Sequence, residues 1–238
     1  MAAVTHSRGA EFAAGLRDEL PLLVGVAPFG VSFGAYAVAS GVSAPLAQAM
    51  SVIIFGGASQ FIAVQAFAAG APAGVIVFTV ALVNLRHLLY GAALAPHLAT
   101  TPRGWRAALA YLMTDEAYVV TARHFEAGDV GRHGRWYMFG AGIALWTCWQ
   151  LTTAVGLLIG DTVPDSWALD FALPVTFIAI AVPAIRGRGA LAAAAVAGVV
   201  AVLGHGWTYE TGLIAAILAG IAAGVLSQRG DAASERTS

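Results

Sequence analysis

The apolar residues of this chain occur in long unbroken runs rather than in an alternating pattern. Residues 20–85 contain no Asp, Glu, Lys or Arg. A helix rises about 1.5 Å per residue, so these 66 residues could extend about 100 Å. That length corresponds to about three crossings of a hydrocarbon core that is about 30 Å thick. The pattern therefore predicts several membrane-spanning helices in this part of the chain alone.

Gly, Pro and charged residues divide the chain into about eight predicted spans, so the expected fold is an all-α, polytopic membrane bundle. Residues 1–19 are expected to be a cytoplasmic N-terminal segment, 20–227 the transmembrane domain, and 228–238 a polar cytoplasmic tail. The pattern leaves open whether the second and seventh spans cross completely. The spans are predicted at residues 20–40, 45–69, the turn at 70–73 to 94, 105–122, 136–160, 167–185, 189–205 and 210–227.

Composition and charge agree with a lipid environment. Apolar residues make up 59% of the chain and charged residues 11%, against about 25% charged in an ordinary soluble domain. The net charge of −1 provides no field that would attract nucleic acid. A lone cysteine, Cys148, cannot form an intrachain disulfide. Neither a phosphate-binding loop nor a metal-ligand spacing occurs, so we expect no cofactor and no metal.

The distribution of arginines predicts the orientation. All twelve basic residues are Arg. With eight spans and a cytoplasmic N-terminus, nine of them fall on the cytoplasmic side and two on the outside, while Arg86 lies within the third span. Because Arg is usually enriched in cytoplasmic loops, both termini are predicted to be cytoplasmic.

Arg86 is the first candidate functional residue, because a charge at the centre of a membrane helix costs about 2.5–3.5 kcal/mol. It lies in NLRHLLYG (84–91). Helical spacing puts the polar side chains of this segment on one half of the helix and its leucines on the other. We expect a polar interior beside Asn84, Arg86, His87 and Tyr90. The alternative is an arginine that extends to the headgroups, since the span ends about eight residues later.

Asp115 and Glu116 are the second candidates, within MTDEAYVVTARH (113–124). One interpretation is an ion pair between one of these acids and Arg86 that holds the third and fourth spans together. The other is an ion-coupling group, because membrane transporters use buried acids to carry protons. The two interpretations overlap.

Gly and Pro inside two spans predict interrupted helices, in PFGVSFG (28–34) and FGGASQF (55–61). Unpaired backbone at membrane depth is tolerated where it lines a cavity, and a helix N-terminus there would bind an anionic group. The alternative for the glycines is close helix packing. The predicted substrate-binding residues are Pro28, Phe29, Gly30, Phe33, Gly34, Gly56, Gly57, Ser59, Gln60, Asn84, Arg86, His87 and Tyr90.

These motifs together resemble the AzlC family of branched-chain amino acid permeases. The resemblance extends in order over about residues 15–183 and is most specific in GGASQF and NLRHLLYG. The matching segments are GLRDELPLLVGVAPFGVSFG (15–34), MSVIIFGGASQF (50–61), NLRHLLYG (84–91), LMTDEAY (112–118) and DFALPVTFIAIAVP (170–183).

The resemblance implies export of valine, leucine, isoleucine or methionine across a bacterial cytoplasmic membrane. It also implies a small AzlD-type partner with about four spans. We expect the substrate carboxylate near residues 56–60 or 28–34, with Arg86 adding positive potential. The ammonium would face Asp115 or Glu116, and the alkyl group would contact Phe29, Phe33, Phe55 and Phe61. Because no nucleotide site exists, an ion gradient would drive transport.

Two other function classes remain open at this stage. One is an intramembrane hydrolase that uses Ser59 and a histidine such as His87, although no nucleophile-elbow context surrounds Ser59. The other is a structural subunit whose partner performs the transport.

Overall fold

The computed structural model describes residues 7–127, 133–160, 185, 187–207 and 211–235, the last eight of these by backbone only. Within these residues all regular structure is helical. Nearly all of the predicted sixth span, and with it the 170–183 motif, lies outside the described residues. The helices are α1 (Arg8–Ala39), α2 (Ala44–Ile54), α3 (Gly57–Ala68), α4 (Ala73–Asn84), α5 (Arg86–Leu94), α6 (Arg103–Tyr111), α7 (Asp115–Glu126), α8 (Gly134–Ile159), α9 (Gly187–Leu203) and α10 (Thr211–Glu235).

Three helical segments among the described residues are long and apolar enough to cross a membrane: Arg8–Ala39, Ala73–Leu94 and Gly134–Ile159. The second of these combines α4 and α5. Helices α2, α9 and the apolar part of α10 are shorter. Large apolar side chains remain exposed on these helices, as expected of a surface that faces lipid. The expected all-α membrane fold is therefore confirmed.

Helix α1 is one continuous helix, which differs from the prediction of an interrupted first span. It begins at Arg8, where the Ser7 hydroxyl accepts a hydrogen bond from the Ala10 N–H, and passes through Pro21 and Pro28 without a break. A proline removes one hydrogen bond within a helix, and neighbouring helices can hold the two halves together. Residues 8–19 thus belong to the same helix as the predicted span.

Two of the predicted spans are each divided into two helices. In the second span the chain adopts a left-handed conformation at Phe55, with φ of 42°, between α2 and α3. This break lies at the predicted FGG segment. In the fourth span the break at residues 112–114, between α6 and α7, was not predicted. The third span has only a single-residue interruption, at Leu85.

The chain divides into two compact units, residues 1–65 with 83–169 and residues 66–82 with 170–238. In the first unit α1 and α8 pack backbone to backbone. A Cβ added to Gly15 would overlap the Tyr137 carbonyl oxygen, and one added to Gly156 would overlap the Val31 carbonyl oxygen. Small residues allow this approach, which strengthens dispersion contacts between membrane helices.

In the second unit α9 and α10 pack against each other in the same way. Gly204 and Gly212 meet backbone to backbone, and a Cβ added to Gly220 would contact Ala193 and Ala197. The backbone of α10 continues to Glu235, so the segment predicted as a polar tail from residue 228 begins inside a helix.

Candidate functional site

The acids of the 113–124 motif lie at the beginning of α7. Thr114 is the N-cap, and its hydroxyl accepts a hydrogen bond from the Ala117 N–H at 3.3 Å. Asp115 and Glu116 occupy the first turn, where the helix dipole favours negative charge. The helix break therefore brings two carboxylates into the interior of the first unit and gives them a favourable electrostatic position.

Arg86 forms an ion pair with Asp115. The distance from Arg86 Nη1 to Asp115 Oδ2 is 2.8 Å, and the Tyr90 hydroxyl donates to Asp115 Oδ1 at 2.5 Å. Both carboxylate oxygens of Asp115 are thus occupied. The Arg86 side chain is 30% exposed and that of Asp115 19%, so the pair lies in a partly enclosed region. The Tyr90 ring stacks on Tyr118, and His87 contacts Tyr90 edge to face.

The N-terminus of α3 forms a neutral polar cluster. The Gln60 side-chain oxygen accepts hydrogen bonds from the Gly56 N–H at 3.3 Å and from Trp149 Nε1 at 3.1 Å. The Ser59 hydroxyl donates to the Gly56 carbonyl oxygen at 2.8 Å. Ser59 and Gln60 are fully buried. Gln60 therefore caps the start of α3, which follows the break at Phe55. Its side chain also connects this helix start to Trp149 of α8.

Asn84 lies between the neutral cluster and the charged pair. A Cβ added to Gly56 would lie 3.4 Å from Asn84 Oδ1, and Asn84 is two residues from Arg86. Three buried polar atoms of this region have no hydrogen-bond partner in the part of the chain that the structure describes: Asn84 Oδ1, Arg86 Nε and Gln60 Nε2. Buried polar atoms are normally paired, so one acceptor and two donors are left without a partner from residues 7–127, 133–160, 187–207 and 211–227.

An apolar cavity of about 150 Å³ lies in the same compact unit as the charged pair. Residues of α5, α6 and α8 and of the segments after α5 and α6 form its walls. The first lining residue in sequence is Gly91, which directly follows Tyr90. Tyr90 and Tyr118 pack against the same buried cluster that forms its walls. A cavity of about this volume can hold a hydrocarbon of about six carbons. Its lining comprises Gly91, Leu94, Ala95, Leu98, Arg106, Leu109, Ala110, Met113 and Met138.

The phenylalanines expected to contact an alkyl group pack against protein instead. Phe29 and Phe33 both contact Phe61 and Trp149, with ring centroids 5.0–6.0 Å apart, and Phe33 is fully buried. Phe55 packs on Tyr111. Their contact with a substrate alkyl group stays a prediction.

Glycines of the 28–34 motif also have a packing role. A Cβ on Gly30 would overlap the Thr152 hydroxyl, and one on Gly34 would overlap the Thr153 carbonyl oxygen. Because α1 is unbroken there, no helix N-terminus is available at Pro28 for a carboxylate. Gly57 serves packing as well, since a Cβ on it would lie 2.6 Å from the Phe29 ring.

A second group of buried polar residues, where α1 meets α7 and α8, was not predicted from the sequence. Glu11 accepts from or donates to His124 Nε2 at 3.1 Å, and Tyr137 donates to Asp18 at 2.9 Å. Glu19 is fully buried. These acids lie before the first uncharged run and therefore appeared to belong to a solvated segment. Their helical spacing, Glu11 to Asp18 and Glu19, was the available signal that they share one face.

The helices and the partly enclosed ion pair define the class of this protein, a polytopic helical membrane protein with a charged and polar interior. The chain belongs to the AzlC family: the family model for AzlC protein matches residues 21–163. No solved structure matches the chain significantly.

Three relatives illustrate the similarity. The chain is 30% identical to the inner membrane protein YgaZ of Escherichia coli K12, over 92% of this chain and 89% of that protein. It is 29% identical to an uncharacterized membrane protein of Archaeoglobus fulgidus, over 90% of this chain and 94% of that one. It is 28% identical to the branched-chain amino acid transport protein AzlC of Bacillus subtilis 168, over 68% of this chain and 63% of that protein.

Proposed function

We propose that this protein exports branched-chain amino acids (valine, leucine and isoleucine, with methionine as a further substrate) across the bacterial cytoplasmic membrane. The observation that carries the proposal is the set of unpartnered polar atoms between the α3 N-terminus and the Arg86–Asp115 pair. Similarity to a branched-chain amino acid transport protein supports the substrate class.

The polar atoms match the charges of an amino acid. Arg86 Nε and Gln60 Nε2 are buried donors without partners among the described residues, and a substrate carboxylate would supply acceptors for them. Asn84 Oδ1 is a buried acceptor without a partner, and a substrate ammonium supplies a donor. Asp115 holds Arg86 in position and adds negative charge on the ammonium side. In this assignment the carboxylate contacts side chains at the α3 start rather than the Pro28 region.

The alkyl group of the substrate would occupy the apolar cavity that begins at Gly91. Its volume of about 150 Å³, which can hold about six carbons, leaves room for a side chain of three or four carbons. Flexible Met113 and Met138 in the wall can adapt to alkyl groups of different shape. Because a methylene changes binding by about 1–3 kcal/mol in an apolar pocket, we expect overlapping selectivity among these substrates.

A small AzlD-type membrane subunit would act with this chain, and an ion gradient would drive export.

Arg86 is the fourteenth residue of the 22-residue apolar segment Ala73–Leu94, which puts it about 12 Å from the end of that segment. The ion pair with Asp115, rather than the depth alone, supports an interior role for Arg86 over a headgroup contact. Both termini would be cytoplasmic.

The test is transport of labelled amino acids in vesicles that contain the purified chain, alone and with its partner subunit. We expect concentrative transport of valine, leucine and isoleucine but not of aspartate or lysine. Arg86→Ala should lower the rate at least about tenfold, because it removes a charge-assisted hydrogen bond worth about 1.5–3 kcal/mol and its charge. Arg103→Ala, at the exposed start of α6, is the matched control.

Two results would contradict the proposal. Full valine transport by Arg86→Ala at normal protein level would return Arg86 to the headgroup region. Transport by the partner subunit without this chain would make the chain a structural subunit. The hydrolase alternative has little support, because the Ser59 hydroxyl donates to the Gly56 carbonyl oxygen rather than to a histidine.

A further inference from the structure

Glu19 is a buried acid that the proposed substrate site does not use. Its side chain is 0% exposed, and neither carboxylate oxygen has a hydrogen-bond partner in the described part of the structure. An ionised carboxylate in such a position would lack both water and donors, which is strongly unfavourable. A neutral carboxylic acid avoids most of this cost.

The groups that face Glu19 are acidic or neutral. On α1 itself Asp18 accepts a hydrogen bond from Tyr137 of α8. α7 runs antiparallel to α1, and eight residues separate Glu116 from His124 as eight separate Glu19 from Glu11, so Glu116 is the acid of α7 at the level of Glu19. One turn from the Glu11–His124 contact on α7, the Thr121 hydroxyl is fully buried and also lacks a partner.

The positive charges of these elements point elsewhere. Arg17 is 76% exposed and contacts Asp18, and Arg123 is exposed on α7. Arg135 of α8 lies over the Trp105 ring. His124 pairs with Glu11, eight residues or about 12 Å along α1 from Glu19. Among the described residues, then, no cation neutralises Glu19.

The polar groups form a row between α1 and α7. The two helices run antiparallel there, because His124 near the end of α7 contacts Glu11, while Val120, one turn nearer its start, belongs to the buried cluster against which Ala14 and Leu22 of α1 pack. The residue directly before Glu116 is Asp115, which forms the ion pair with Arg86. The row therefore connects the beginning of α1 to the proposed substrate site.

We propose that Glu19 is the proton-binding site of this protein and exchanges its proton with Glu116. In the transfer the O–H bond of the Glu19 carboxylic acid breaks and an O–H bond to the Glu116 carboxylate forms, with no other reactant. Asp115, held by Arg86 and Tyr90, stays ionised and positions Arg86. The coupling of this proton to amino acid export rests on the proposed function, whereas the proton site itself does not.

The proton site is tested by infrared spectroscopy of the purified protein in lipid. At neutral pH we expect the carbonyl stretch of a protonated carboxyl group in the wild type, with its shift in D₂O. Glu19→Gln should remove that band. Glu126→Gln, which replaces an exposed acid at the end of α7, is the control and should keep it. An unchanged band in Glu19→Gln would overturn the proposal. Loss of the wild-type band on adding NaCl but not choline chloride would assign the site to Na⁺ and overturn it as well.

The coupling is tested separately in vesicles. Glu19→Gln should retain exchange of labelled for unlabelled valine but lose accumulation driven by a pH gradient. A Glu19→Gln variant that still accumulates valine in response to the gradient would overturn the coupling role. If no amino acid is transported by the wild type, the proposed function fails, while the infrared result still decides whether Glu19 holds a proton.

Discussion

Two glycine-containing segments of the first unit have similar composition and opposite structures. In PFGVSFG (28–34) the helix continues, although it contains a proline and two glycines. In FGGASQF (55–61) one helix ends at Ile54 and another begins at Gly57. Composition alone therefore does not decide whether a membrane helix breaks.

Spacing and the surrounding polar groups account for the difference. Gly30 and Gly34 are four residues apart, so they lie on one face and contact α8. Gly56 and Gly57 are adjacent and thus cannot form such a face. Instead, Gln60 follows at the distance at which its side chain reaches back to the Gly56 N–H. A pair of small residues four apart indicates packing, while adjacent glycines before a buried polar residue indicate a helix start.

The largest effect is expected at the packing face. Gly34→Leu would place a side chain where the α8 backbone lies, at Thr153 and Gly156. Overpacking typically costs about 1–3 kcal/mol, and backbone cannot rotate aside as a side chain can, so we expect loss of folded protein. Size-exclusion chromatography in detergent measures this. Gly25→Leu is the control, because Gly25 is exposed on α1 with open space around it. A normal elution profile for Gly34→Leu would contradict the packing role.

A smaller effect is expected at the helix start. Gln60→Leu removes the acceptor for the Gly56 N–H and for Trp149 Nε1. Each buried donor left without a partner costs about 1–3 kcal/mol, so the thermal midpoint should fall clearly while the protein still folds. Gln65→Leu, half-buried on the same helix, is the matched control and should change the midpoint little. Equal midpoints for the two variants would show that Gln60 does not hold the α3 start.

The site residues that could be predicted from the sequence are those whose charge is unfavourable in lipid. Arg86 and Asp115 stood out because a charge in an apolar run needs a partner, and the structure pairs them at 2.8 Å. The break before α7 was missed even though Thr114 before two acids is an ordinary N-cap signal. The predicted span was judged by its apolar residues, and this local signal was overlooked.

Other features depend on contacts between distant residues. The apolar cavity joins Gly91 to Met138, and no local pattern indicates that these residues meet. Glu19 looked like part of a solvated segment because charges surround it in sequence. Its burial follows from the packing of α1 on α8 through Gly15, which brings the first turns of α1 into the interior.

The smallest expected effect is at Gly25, a glycine of α1 that does not pack against another helix. Gly25 lies in the same helix as Gly34, but no atom would meet a Cβ added there. Gly in a helix interior is less favourable than Ala by about 0.5–1 kcal/mol, so Gly25→Ala should raise the thermal midpoint slightly. Gly34→Ala should lower it, since its Cβ would overlap the Thr153 carbonyl oxygen. Thermal unfolding of both variants in detergent gives the two signs. If both substitutions lowered the midpoint, helix propensity would not determine the effect of Gly25→Ala on stability. The distinction between packing and non-packing glycines of α1 would then be wrong.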